Sequence, residues 1–177
     1  MQPNSIVYLA FNPPHDGPVC IMQVYDGADV QQCLDKFATA HGWKPEKVRQ
    51  IKAEDIPSAR TFRNAWRMKG ASIMHDMDAV RATHRDNIRR IRAPVFADLD
   101  VKFARALEKQ DNESERQAIV YHKQLLRDLP QNPEIDTAAT PQAIVDLWPA
   151  HLSNPYVPPP VIKQPTLIQR MRRRLGI

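Results

Sequence analysis

The sequence predicts an α+β protein: a small N-terminal ββαβ module, a long, kinked α-helical hairpin, and an extended proline-rich C-terminal arm. Three observations carry that expectation. Two short apolar runs, residues 6–11 and 19–24, flank a turn; apolar residues step by three and four from Ile73 to Val95; and the chain after Pro149 has the period of neither helix nor strand until a short basic stretch at its end. The corresponding units are residues 1–56, 57–149 and 150–177.

Ile6 to Phe11 reads as a strand, Asn12-Pro13-Pro14-His15-Asp16-Gly17 as a turn, and Val19 to Val24 as the partner of a β-hairpin. Asp29 is placed to cap a short helix with Val30, Cys33, Leu34 and Phe37 on its inner face. Gly42 stands where a left-handed residue ends it. Lys47 to Ile51 returns as a third strand. A module of about 55 residues buries little surface for its size, so it should lean on the helices or on a partner.

Ile73, Met77, Val80, His84, Ile88, Ile91 and Val95, continued by Phe96, Leu99, Phe103 and Leu107, line one helical face. After the polar break Gln110 to Ser114, the residues Ala118, Tyr121, Leu125 and Leu129 repeat the step, which makes a hairpin. Its outward run of about 37 residues could span roughly 55 Å. Pro94 predicts a bent pair of helices, since an internal proline removes a backbone bond and crowds the preceding turn. Ser114 with Gln117 fits a capping box, and Leu129 to Pro133 stops the return helix. Thr140-Pro141 starts one more short helix, through Trp148. If Arg60 to Trp66 is helical, Phe62 and Trp66 share a face as buried anchors, with Arg63 making charged hydrogen bonds beside them.

With 177 residues, five glycines and sixteen prolines, the chain favours extended connections over glycine-built, phosphate-cradling loops. Cys20 and Cys33, with no further thiol, suggest buried small hydrophobes rather than a zinc cluster or a disulfide framework. The absence of a long apolar run and of a basic-then-apolar N-terminus leads us to expect a soluble chain without a secretory signal. The net charge of +5 belongs to the end of the chain, where Lys163, Arg170, Arg172, Arg173 and Arg174 follow the last acidic residue, Asp146.

His75 with Asp76 and Asp78, and His84 with Asp86, are residue types that bind metals, but their helical spacing reads as surface charge. No elbow serine, activated cysteine or paired carboxylates in an apolar setting are recognisable, so no catalytic, cofactor or metal site is expected. Between Arg60 and Arg92 nine basic residues face three acidic ones. Asp98, Asp100, Glu108, Asp111, Glu113, Glu115 and Asp128 on an antiparallel hairpin could balance them. A nucleic-acid reading stays open, because phosphate contacts need only clustered Lys and Arg.

Asp55-Ile56-Pro57, Arg60-Thr61-Phe62-Arg63-Asn64-Ala65-Trp66, Asp76-Met77-Asp78-Ala79-Val80-Arg81, Arg89-Arg90-Ile91-Arg92, Leu99-Asp100, Leu126-Arg127-Asp128 and Leu147-Trp148-Pro149 together form a pattern. It resembles that of small proteins encoded among the virion and tail genes of tailed bacteriophages and prophages. The resemblance runs from about Ile51 to Pro149 and implies a viral structural or assembly role, with no catalytic residue carried over.

The expected function is therefore a non-enzymatic structural component of a tailed-phage virion, in the tail or at the fibre or baseplate attachment, made in the bacterial cytoplasm. The alternatives are an assembly chaperone absent from the mature particle and a nucleic-acid-binding head or genome-end protein. Expected partners are other tail proteins and further copies of the chain. Self-association would use the stripe Ile73, Met77, Val80, Ile88 and Ile91, as a trimer because tail-fibre attachments are commonly threefold. The arm from residue 150 onward is expected to dock on a neighbour through Tyr156, Val157 and Ile162, with Arg170, Arg172, Arg173 and Arg174 against an acidic surface.

Overall fold

The protein is α+β. The computed structural model describes residues 6–14, 17–58, 60–70, 72–109 and 112–156. Val157, Ile162, Arg170, Arg172, Arg173 and Arg174, and with them most of the arm, lie outside the described residues.

Strands β1 (Ile6–Asn12), β2 (Cys20–Tyr25) and β3 (Glu46–Ile51) form an antiparallel sheet in the order β2-β1-β3, with Tyr8 opposite both Gln23 and Ile51. Alternation gives β1 two working faces. Leu9 and Phe11 point to one side, where helix α1 (Val30–His41) lays Phe37 against Phe11 with ring centroids 5.0 Å apart, closed by Trp43 at 5.1 Å from Phe37. The Asp29 carboxylate accepts from the Gln32 amide at 3.1 Å, and Gly42, at φ 75°, donates its amide to Ala38 at 2.9 Å. Both caps fall where the sequence puts them. No residue of α1 is fully buried, and Val30 is exposed rather than on the inner face.

The other face of the sheet meets an element the sequence did not announce. Strands β4 (Trp66–Lys69) and β5 (Ser72–His75) pair as a second hairpin whose Trp66 and Ile73 close a core with Ala10, Val19 and Ile51. The Arg60 to Trp66 segment is therefore not a helix: residues Arg63–Ala65 make one 3₁₀ turn and Trp66 opens a strand. Trp66 and Met68 face the sheet core while Lys69 is exposed, and Gly70 turns the chain at φ 65°.

Helix α2 (Met77–Glu108) begins after Asp76, whose carboxylate accepts from the amides of Asp78 and Ala79 at 3.1 and 3.2 Å. It is one helix and not a pair meeting at Pro94, which lies inside it. Pro94 sits on the exposed side, where the carbonyl it leaves without an intrahelical partner can bond to water. Helix α3 (Glu113–Asp128) packs back along α2. Its N-cap is Asn112, without a side-chain cap bond, and not Ser114; the first turn is instead tied by Glu113 to Arg116 at 2.7 Å and to Gln117 at 3.1 Å.

A 3₁₀ turn (Leu129–Gln131), the single turn α4 (Glu134–Thr137) and α5 (Pro141–Asp146) return to the base of α2. The Thr140 hydroxyl accepts from the Ala143 amide at 3.1 Å, with Pro141 in the first turn. Phe62, Val80, Ile88, Leu99, Leu126, Ile135, Ile144, Trp148 and Leu152 form a second core, which continues between α2 and α3 out to Ala106 and Ile119.

Candidate protein-interaction surfaces

The Arg60 to Trp66 segment joins the two cores. Phe62 enters the helical core, 5.2 Å between ring centroids from Tyr156, whereas Trp66 enters the sheet core. Both are buried, at 2% and 1% exposure, but as anchors of different bodies and not of one helical face. The Ala65 carbonyl accepts from the Asp76 amide at 2.8 Å and that of Trp66 from the Val19 amide at 3.1 Å, so the turn holds sheet, hairpin and helix start together. The Arg63 guanidinium lies 6.0 Å from the Trp66 ring, a cation over an aromatic face instead of the charged hydrogen bond the sequence suggested. It borders a cavity of about 290 Å³ that Tyr8, Gln23 and Arg60 also line.

Neither His75 nor His84 is a surface charge. The Trp66 indole donates to Nε2 of His75 at 3.0 Å, which requires that nitrogen to be unprotonated, and burial holds the His75 pKa below its ordinary value. His84 is fully buried: burial, with a smaller contribution from neighbouring Arg85, pushes its pKa down to about 4. Its Nδ1 lies 2.9 Å from the Tyr156 hydroxyl, the edge of Trp148 closes the cluster at 5.5 Å, and its Nε2 has no partner among the described residues. Sequence reasoning placed His84 on the apolar stripe, yet treated it as charge because of its residue type.

Tyr156 is half-buried in this cluster, where burial raises its pKa and neighbouring Asn87 works against the rise. The ring expected to reach a neighbouring subunit packs inside its own chain.

Arginines of the run do pair with carboxylates, Arg67 with Asp76, Arg81 with Asp78, Arg85 with Asp136 and Arg89 with Asp86, but not with the acidic residues expected across the hairpin. Arg81 donates to the carbonyls of Ile135 and Ala138 at 3.2 and 3.0 Å. Arg85 donates to that of Pro130 at 3.1 Å and pairs with Asp136 at 2.6 Å, and Arg92 reaches the carbonyls of Leu126 and Arg127. These three guanidinium groups grip chain turns that end the hairpin and are not free to meet phosphates. Of the acidic residues expected to face the run, Asp100 pairs with Lys123 at 2.6 Å and Glu113 with Arg116, its neighbour on α3.

The proposed association stripe is also occupied internally. Val80 and Ile88 are fully buried, and Ile73 belongs to β5 and the sheet core. Exposed apolar surface lies instead at the far end of the hairpin, where Leu107, Val120 and Tyr121 are 57%, 51% and 67% exposed. A groove of about 710 Å³ runs there between α2 and α3, floored by Phe103 and Leu107 and walled by Val120 and Tyr121.

Cys20 and Cys33 are free and half-buried, and burial raises the Cys20 thiol. Among the described residues no group of three or more His, Cys, Asp or Glu could hold a metal ion, and no helix is long and apolar enough to cross a membrane. No family model matches the chain, and no curated protein or solved structure is significantly similar to it.

Proposed function

We propose that this protein is a non-enzymatic structural component of a tailed-phage virion, in the tail or at the fibre or baseplate attachment. In this reading the ββαβ module is the anchor and the helical hairpin the arm that meets other tail proteins and further copies of the chain. The observation that carries it is the exposed apolar surface at the distal end of a hairpin whose base is fixed to the sheet body, because contiguous apolar patches on a soluble protein mark contact sites. The motif resemblance between Ile51 and Pro149 supplies the viral setting.

The same exposed surface supports a second reading, an assembly chaperone that covers a tail protein and leaves before maturation. Mass spectrometry of purified particles separates the two: stoichiometric presence supports the structural role, and absence sinks it. A nucleic-acid role is weakened by the engagement of Arg81, Arg85 and Arg92 with carbonyl groups. It would need affinity that falls steeply with salt.

A further inference from the structure

We infer that the distal end of the hairpin is the contact face of a two-fold homodimer, in which two hairpins pack face to face as a four-helix layer. The inference is independent of the viral setting. Stable folds are built from at least two packed layers, and the proximal part of α2 has its second layer: Ile135, Ile144 and Trp148 cover Val80 and Ile88. Beyond Leu99, among the described residues, the helix pair is a single layer. Leu107, Val120 and Tyr121 are left 57%, 51% and 67% exposed around the groove.

Three features favour a second copy as the occupant. The rim is already neutral: Glu113 and Arg116 pair with each other at 2.7 Å, and Gln117 and Gln124 flank them, so the groove selects neither an acidic nor a basic partner. A two-fold axis brings the same patch onto itself, so an apolar floor with a balanced rim meets its own complement. The exposed parts of Phe103, Leu107, Val120 and Tyr121 provide a patch of roughly 300–400 Å² of apolar surface. With its polar rim this approaches the ~800 Å² per partner of a standard stable interface. Tyr121 beside the groove supplies the side chain that fills the partner's groove, a residue type that carries much of the energy of such contacts.

Sedimentation velocity on the full chain, from low to high micromolar concentration, tests this directly. The parent protein should dimerise with concentration. Val120→Glu and Tyr121→Ala, both at exposed positions and checked by an unchanged thermal melt, should each weaken the dimer by about tenfold or more. A parent protein that stays monomeric throughout, one that forms trimers, or a dimer indifferent to both substitutions overturns the inference. So does a monomeric parent whose capture of another tail protein is lost with Val120→Glu, because the face would then belong to a different protein.

Discussion

His84 and Tyr156, 72 positions apart, stack with ring planes 12° from parallel, and Nδ1 of the first lies 2.9 Å from the hydroxyl of the second. This contact closes the helical core with the last described residue of the chain, and burial there keeps the imidazole neutral.

Acid should therefore loosen the helical core. The folded-state pKa of His84 is about 4 against an ordinary value of 6.5, so the unfolded chain binds the extra proton between those values. Stability from keeping His84 neutral is present above pH ~6.5 and is lost as pH falls towards ~4, by up to about 3 kcal/mol. Denaturant unfolding at several pH values should show this fall in the parent protein and a shallower one in His84→Leu. Equal slopes in the two proteins would refute the assignment.

Trp66→Ala should cost about 3–5 kcal/mol, as for truncation of a large core aromatic. It should also raise the His75 pKa, since the indole hydrogen bond favours the unprotonated ring. Imidazole titration by NMR reads this second effect separately from the loss of stability, because truncation removes both the indole donor and part of the burial that holds the His75 pKa down.

Arg85→Ala should destabilise the protein by about 1.5–3 kcal/mol, because it removes hydrogen bonds from a charged donor to the Pro130 carbonyl and to Asp136. Arg90→Ala, on the exposed side of the same helix with only Asn87 as partner among the described residues, should stay within about 0.5 kcal/mol. Comparable losses from the two would mean the arginines act through net charge alone.

Asp76→Ala removes the acceptor for two amides at the start of α2 and should cost about 1–2 kcal/mol. Asp76→Asn should recover most of it, and chemical denaturation of the three proteins would show whether it does.

The features legible in the sequence were those decided by a few neighbouring atoms. Asp29, Gly42 and Thr140-Pro141 cap helices because the groups they satisfy lie within four residues. The β4–β5 hairpin was hidden by a coincidence of spacing: Ile73, Met77 and Val80 fit a helical step, although Ile73 lies opposite Met68 in a strand ladder. Gly70 was the one local signal of the turn. Pro94 misled for a related reason, because sequence alone does not tell whether a proline faces solvent or a packed neighbour. The carbonyl partners of Arg81, Arg85 and Arg92 were not legible at all: every residue offers a carbonyl, so only the fold reveals which ones lie within reach.

The length of α2 gives the molecule leverage. Thirty-two residues make an arm of about 48 Å, held at its start by the Asp76 amide bonded to the Ala65 carbonyl. On an arm of that length, a tilt of only about 5° at the base carries the far end through about 4 Å, most of the rise of one helical turn. Small repacking around Phe62, His84 and Trp148 would thus decide where the exposed groove arrives.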